Sequence, residues 1–154
     1  KILWIDLNIP TLIPFIWHLP ALHAQIANDP SIEWAIVSAT INENAGTVVD
    51  EAYHHKPDII AATTWLFNHE QLLHITSRLK VLLPQSMSHI SGPEFLGNNE
   101  LFLRKYPFVD CVFRGEGEEV FPQWLIAGTN QNCGMIIAGL CYLDTDKQYR
   151  DNGT

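Results

Sequence analysis

The chain of 154 residues carries a net charge of −8, with 47% hydrophobic and 17% charged residues. This composition is typical of a globular domain with a real core and excludes a disordered chain. An acidic chain lacks the clustered Lys and Arg that nucleic-acid binding requires, and no apolar run reaches the roughly 18 residues of a membrane span. The opening residues lack the architecture of a signal peptide, and the odd count of three cysteines favours a reducing, cytoplasmic compartment.

Five short apolar runs predict buried strands. In chain order they are residues 2–5, 32–39, 58–65, 87–91 and 109–113. The third run is nearly all apolar or β-branched, as in parallel strands that are covered on both faces. Cys111 alternates with apolar neighbours in the fifth run, which predicts a small core residue.

Helical patterns separate these strands. Apolar residues at helical spacing predict the first four helices. The first contains Leu22 and Ile26, the second Val48 and Val49, the third Leu72 and Ile75, and the fourth covers residues 101–106. Asn68 is placed to cap the third of these helices. A fifth helix follows residue 118, and its Pro122 must lie in the first turn or bend the helix.

Strand and helix therefore alternate five times along residues 1–128. With short loops and right-handed crossovers, this alternation predicts an α/β fold: a doubly wound, Rossmann- or flavodoxin-like sheet of five parallel strands with helices on both faces. Residues 129–154 have the character of a polar linker and a short C-terminal hairpin. Because the hairpin has no obvious helix to pack against, we expect an appendage or the start of a further unit.

Four loops are expected together at the carboxyl ends of the strands, where open α/β sheets bind ligands. They are residues 6–11, 63–68, 91–94 and 114–118. Small and hydroxyl-bearing residues in these loops would let a large, flat ligand approach the backbone. The same residue types also suit ordinary turns at strand ends.

The fifth strand ends in the charged, glycine-rich run RGEGE at residues 114–118. Glu118 and Glu119 suit the positive end of the following helix dipole. Glu116, between two glycines, is the better functional candidate. Arg114 either pairs with one of these carboxylates or faces a ligand or a partner domain.

Metal-binding and catalytic motifs are not evident in the sequence. Among the seven histidines, His18 and His23, like His69 and His74, are five residues apart, a spacing that does not align them on a helix face. No metal site is expected. No Gly-x-Gly-x-x-Gly opens the first helix, and neither a P-loop nor a Gly-x-Ser-x-Gly elbow is present. We therefore assign no catalytic residue.

Four motifs occur in the order and at the spacing of a known family. They are Lys56-Pro57-Asp58-Ile59-Ile60, Leu79-Lys80-x-x-x-Pro84, Ser91-Gly92-Pro93-Glu94 and Val109-Asp110-x-x-x-Arg114-Gly115-Glu116-Gly117-Glu118. Over residues 1–127 the chain resembles the N-terminal cobalamin-binding-type domain of radical S-adenosylmethionine enzymes, the group that includes magnesium-protoporphyrin ester cyclase-like proteins. The run GLCYLD from Gly139 is similar to the hairpin that leads into their radical domain.

The resemblance implies a cobalamin-binding module of a longer enzyme that performs radical methyl transfer or a related rearrangement. In that family the radical domain binds S-adenosylmethionine and a four-iron four-sulfur cluster through Cys-x-x-x-Cys-x-x-Cys. This chain lacks that motif. Both cofactors would therefore belong to a downstream radical domain, which is the expected partner, and the module alone would not be catalytic.

The loops and the resemblance together indicate which residues would bind the corrinoid. The candidates are Leu7, Asn8, Thr11, Thr63, Thr64, Trp65, Ser91, Gly92, Pro93, Glu94, Arg114, Gly115, Glu116 and Gly117. Family members that ligate cobalt carry Asp-x-His-x-x-Gly after the first strand, and here Asn8 and Thr11 replace the His and the Gly. The resemblance therefore implies cobalamin binding without histidine ligation. Ser91 replaces the first residue of the usual Gly-Gly and adds bulk beside the cofactor's nucleotide tail.

Two other functions stay open at this point. The first is a cofactor-free scaffold that shapes the substrate cavity or docks the radical domain. Pro122, Ser91 and the aromatic-rich first loop, with Phe15 and Trp17, favour this interpretation. The second is a free-standing nucleotide-binding module. Retention of hydroxocobalamin after desalting would distinguish a cobalamin-binding module from a scaffold.

Overall fold

The strands in the described part of the chain form a single sheet. A computed structural model describes residues 1–10, 18–26, 29–127 and 137–153. The strands in these ranges are β1 (Ile2–Asn8), β2 (Trp34–Thr40), β3 (Ile59–Thr63), β4 (Met87–Ser91), β5 (Cys111–Phe113), β6 (Leu140–Leu143) and β7 (Tyr149–Asp151). Their order in the sheet is β2-β1-β3-β4-β5-β6-β7. The first five run parallel to their neighbours, while β6 and β7 are antiparallel. The described residues do not include Thr11, Phe15, Trp17, Cys133 or the predicted linker at 129–132.

Helices connect the parallel strands. They are α1 (His18–Ile26), α2 (Ala45–His54), α3 (His69–Leu82), α4 (Glu100–Lys105) and α5 (Gly117–Ala127), and a 3₁₀ turn covers Pro93–Phe95. Pro122 lies inside α5, in its second turn, where its ring nitrogen has no hydrogen to donate to an earlier carbonyl. None of the described helices has the length and apolar content of a membrane span.

Alternation along the strands divides the core between the two faces of the sheet. In β1, Leu3 and Ile5 belong to one apolar cluster, whereas Ile2 and Trp4 belong to the other. Helices α2, α3 and α4 contribute to the first cluster, and α1 and α5 contribute to the second. We call these the α2–α3 face and the α1–α5 face. Each fully buried apolar side chain contributes about 1.5–3 kcal/mol to folding.

The first strand is longer than the sequence predicted. It runs to Asn8 because Asp6, Leu7 and Asn8 pair in register with residues of β2. Leu7 and Asn8 were expected in a ligand-facing loop, and they are strand residues instead. Pairing with a strand some thirty residues later along the chain is not visible in the local pattern of β1, which is why the prediction ended too early.

The C-terminal hairpin is part of the sheet rather than an appendage. Strand β6 pairs with β5, and the backbone N–H of Arg114 donates to the carbonyl of Gly139 at 2.8 Å. Gly139 has a φ of +82°, and a Cβ there would lie 2.4 Å from the carbonyl oxygen of Arg114. The sheet therefore has seven strands, not five. Strand β6 supplies hydrogen-bond partners for the backbone groups at the outer edge of β5. The spacing of apolar residues in the sequence does not show that these backbone groups need partners.

Two of the motif residues hold the sheet together at the amino ends of β4 and β5. The Lys80 ammonium at the end of α3 donates to Asp110 Oδ2 at 2.7 Å and to the Ser86 carbonyl at 2.7 Å. The same carboxylate oxygen accepts from the backbone N–H of Ser88 at 2.7 Å. The side chains of Lys80 and Asp110 are 16% and 28% exposed. These contacts give the two residues a structural role far from the carboxyl ends of the strands.

Replacing Lys80 with methionine is expected to lower the free energy of unfolding by about 2 kcal/mol, because it leaves the partly buried carboxylate of Asp110 without its cation. Urea denaturation followed by circular dichroism measures the loss. Arg104→Met is the matched control: the Arg104–Glu100 pair is about half exposed, so its loss should be below about 1 kcal/mol. Equal losses for the two variants would contradict the structural role of Lys80.

Candidate functional site

A cleft of about 380 Å³ opens at the carboxyl ends of β3, β4 and β5. Its lining residues are Leu22, Thr63, Trp65, Ser91, Gly92, Pro93, Leu96, Gly115, Glu116, Gly117 and Glu118. They come from α1, from the segments that follow β3, β4 and β5, and from the first turn of α5. Parallel strands place their carboxyl ends at one edge of a sheet, which is why loops distant in sequence converge here.

Eight of the fourteen predicted site residues line this cleft: Thr63, Trp65, Ser91, Gly92, Pro93, Gly115, Glu116 and Gly117. Three of the four predicted loops contribute to it. From the first loop, Leu7 is buried, and the half-buried Asn8 donates through Nδ2 to Asp6 Oδ2 at 2.7 Å. Neither residue lines the cleft, and Thr11 lies outside the described residues.

Three further predicted residues point elsewhere. Thr64 is fully buried, and its backbone N–H donates to the Ser91 carbonyl at 2.7 Å. Glu94 is exposed beyond the lining. The Arg114 guanidinium is 12% exposed, pairs with Asp151 of β7 and donates to the Gly97 carbonyl at 3.4 Å. Arg114 thus pairs with a carboxylate of the hairpin rather than with Glu116 or its neighbours.

Gly92 and Gly115 both line the cleft, but the space around their Cα atoms differs. Gly92 has a φ of +128°, and a Cβ there would lie 2.1 Å from the carbonyl oxygen of Thr64. Close approach of the segments that follow β3 and β4 therefore requires Gly92 whether or not a ligand binds. Gly115 has a φ of +82°, and a Cβ there would meet no atom within 4 Å. Open space over Gly115 leaves room for a ligand.

The cleft is rich in hydrogen-bond acceptors and carries negative charge. Its ionisable lining residues are Glu116 and Glu118, and no Lys, Arg or His lines it in the part of the chain that the structure describes. Glu118 stands in the first turn of α5, where a carboxylate stabilises the helix dipole. Two hydroxyls, from Thr63 and Ser91, add further acceptors. This lining suits a neutral ligand that carries amide or other N–H donors.

Two lining residues, Leu22 and Leu96, lay outside the four predicted loops, and Glu118 lay in a predicted loop but was not among the corrinoid-binding candidates. Leu22 and Leu96 supply apolar lining, and Glu118 was interpreted chiefly as a residue that stabilises the helix dipole. Leu22 stood on the apolar face of its predicted helix, so only the packing of α1 beside α5 could show that it reaches the site. Leu96 is 70% exposed and had no distinguishing pattern.

Asn68 occupies the N-cap position of α3, as expected, but its side chain makes no capping hydrogen bond. Its carboxamide Nδ2 donates to the carbonyl of Leu7 at 3.1 Å and to the carbonyl of Thr63 at 3.2 Å. Its Oδ1 accepts from the backbone N–H of Trp65 at 2.8 Å. Asn68 is 2% exposed and ties the ends of β1 and β3 to the loop that carries Trp65.

Metal ligands are not clustered in the described ranges: no group of three His, Cys, Asp or Glu side chains there could hold a metal ion. The buried thiols of Cys111 and Cys141 lie in different apolar clusters. Burial raises the pKa of the Cys111 thiol well above its ordinary value, so it stays protonated. This matches the expectation that Cys111 is a core residue.

Comparison with curated proteins finds two methyltransferases that cover most of this chain. 2-(S-pantetheinyl)-carbapenam-3-carboxylate methyltransferase from Streptantibioticus cattleyicolor is 24% identical over 133 residues, which is 82% of this chain and 18% of that protein. The cobalamin-dependent radical SAM methyltransferase TokK from Streptomyces tokunonensis is 24% identical over 132 residues, with 81% and 18% coverage. The chain thus spans less than a fifth of these relatives. No family model matches it.

Solved structures show the same fold. The radical S-adenosylmethionine methyltransferase TsrM from Kitasatospora setae superposes with a TM-score of 0.77 at 12% identity, over 99% of this chain and 30% of TsrM. The cobalamin-dependent radical enzyme OxsB, with aqua-cobalamin and S-adenosylmethionine bound, superposes with a TM-score of 0.69 at 14% identity, over 99% of this chain and 22% of OxsB. In both comparisons the chain corresponds to one part of a larger enzyme.

Proposed function

We propose that this chain is the cobalamin-binding module of a radical S-adenosylmethionine methyltransferase. The observation that carries the proposal is the cleft at the carboxyl ends of β3, β4 and β5, in a fold shared with the cobalamin-dependent radical enzyme OxsB. The named activity of the curated relatives favours methyl transfer over a cyclase-like reaction. S-adenosylmethionine and the iron–sulfur cluster would bind to a downstream domain, the module's partner, in a cytoplasmic enzyme.

The lining of the cleft fits a corrinoid. The macrocycle has a large apolar surface and is surrounded by carboxamide side chains, which donate hydrogen bonds. Glu116, Glu118 and Ser91 supply acceptors for these amides, while Trp65 and Leu96 supply apolar surface. A volume of about 380 Å³ is at the low end for ligand sites, which range from roughly 300 to 1,000 Å³. The cleft would therefore hold one edge of the cofactor and leave the rest for a second domain to cover.

Histidine ligation of cobalt is not part of the proposal. Asn8 stands where a ligating histidine would be, and its carboxamide is engaged with Asp6. When bound, cobalamin supplies a metal centre for methyl-group transfer. The chain's own contribution is to bind and orient it: the carboxylates and hydroxyls fix the amides, and the glycine at 115 leaves space above the loop.

Titration with hydroxocobalamin, followed by desalting and an absorption spectrum, tests this function. We expect the complete protein, including any sequence beyond these 154 residues, to retain one corrinoid per chain. Glu116→Gln, which keeps the shape of the side chain but removes its charge, should weaken binding by about tenfold, because hydrogen bonds to a charged acceptor are the stronger kind. Glu94→Gln, outside the lining, is the matched control.

A cofactor-free scaffold is the second candidate, and one observation favours it. The close approach of Gly92 to Thr64 accounts for this glycine without any ligand. If hydroxocobalamin at tens of micromolar is not retained by the complete protein, the scaffold is the better description of the module.

A further inference from the structure

The loop that follows β3 forms one wall of the cleft, and its apolar side chains are partly exposed. Trp65, Leu66 and Phe67 are 40%, 84% and 39% exposed, so none of the three side chains is anchored in the core. Only Trp65 of the three lines the cleft. Besides the packing of its ring, the position of Trp65 depends on hydrogen bonds of its main chain.

Both main-chain polar groups of Trp65 are bonded to Asn68. The N–H of Trp65 donates to Asn68 Oδ1 at 2.8 Å, and its carbonyl accepts from the Asn68 N–H at 3.1 Å. The remaining donors of the carboxamide reach the carbonyls of Leu7 and Thr63, at the ends of two neighbouring strands. One buried side chain thus connects the rigid edge of the sheet to the cleft wall.

We propose that Asn68 is a positioning residue that holds Trp65 in the wall of the cleft and so sets the affinity of the site. The inference depends on the proposed corrinoid function only for the identity of the ligand. A preorganised wall does not lose conformational freedom when a ligand binds, so releasing it weakens binding even if every contact residue is kept. Asn68 itself does not line the cleft.

Asn68→Asp tests the proposal in the complete protein. The carboxylate keeps the acceptor for the Trp65 N–H but faces the two carbonyls without a hydrogen to donate. Ser86→Ala is the control, because the Ser86 hydroxyl is also buried and also donates to a carbonyl, that of Pro57 at 2.6 Å, away from the cleft. Asn68→Ser, which keeps a single donor, is the second variant if Asn68→Asp does not fold.

The first readout is acrylamide quenching of tryptophan fluorescence. Subtracting the signal of the matching Trp65→Ala protein isolates Trp65 from every other tryptophan, including the other four of these 154 residues. We expect Trp65 to become more accessible to quencher in the Asn68 variants and to be unchanged in Ser86→Ala. Unchanged accessibility in both folded Asn68 variants would overturn the proposal.

The second readout is the affinity for hydroxocobalamin. We expect Asn68→Asp to weaken binding by about tenfold and to have much less effect when Trp65 is already alanine. Equal weakening in both backgrounds would show that Asn68 does not act through Trp65 and would also overturn the proposal. If the unmodified protein does not bind hydroxocobalamin, the proposed function fails, and the quenching experiment still decides whether Asn68 positions Trp65.

Discussion

Gly92→Ala is expected to lower the free energy of unfolding by at least about 3 kcal/mol, through backbone strain and collision together. The residue has a φ of +128°, and its new Cβ would lie 2.1 Å from the carbonyl oxygen of Thr64. That oxygen belongs to backbone whose N–H is bonded to the Ser91 carbonyl at 2.7 Å. It cannot rotate away as the end of a flexible side chain can, so the segments after β3 and β4 must separate.

Gly115→Ala is the matched control for this prediction. Gly115 also has a positive φ, of +82°, but the methyl group of an alanine there would meet no atom within 4 Å. Only the conformational term applies there, so the expected loss is about 1 kcal/mol. Chemical denaturation of the two variants compares them directly. Losses of similar size would show that contact between Gly92 and Thr64 does not constrain the fold.

The parallel part of the fold could be predicted because its signals are local. Strand β4 was predicted over the residues at which it occurs, and β3 within two residues at its carboxyl end. Apolar and β-branched runs of this kind mark strands covered on both faces. Convergence of three loops on one cleft then follows from parallel pairing alone, without any knowledge of side-chain contacts.

Contacts between distant residues account for what the sequence did not show. The partners of Asn68 lie up to 61 residues away, and Arg114 pairs with Asp151 37 residues later. Both residues have roles that a local pattern assigns differently: Asn68 precedes a helix and suggests a cap, and Arg114 precedes three glutamates and suggests a local ion pair. These roles depend on which distant residues the folded sheet places next to Asn68 and Arg114.

The second large effect concerns His89 of β4, which lies on the α1–α5 face and is 1% exposed. Its ring centroid is 4.0 Å from that of Phe113 and 5.3 Å from that of Phe121. Neither ring nitrogen has a hydrogen-bond partner among the described residues. Burial in these apolar surroundings disfavours the charged imidazolium and lowers the pKa of His89 from 6.5 to about 3.

This lowered pKa makes the protein less stable in acid. Above pH 6.5 the ring is neutral in both the folded and the unfolded state, so it contributes no pH dependence. Between pH 6.5 and about pH 3, the unfolded state binds a proton that the folded state does not, so the free energy of unfolding falls as the pH is lowered. We expect His89 alone to account for a loss of about 2 kcal/mol between pH 7 and pH 5.

Urea denaturation of the unmodified protein and of His89→Phe, each at pH 7 and at pH 5, measures this contribution. Phenylalanine cannot titrate, so about 2 kcal/mol of the pH dependence should disappear. Any change in packing shifts the stability of the variant at both pH values and does not affect the difference between them. If His89→Phe and the unmodified protein lose equal stability on acidification, the ring of His89 is not held neutral by the aromatic side chains around it.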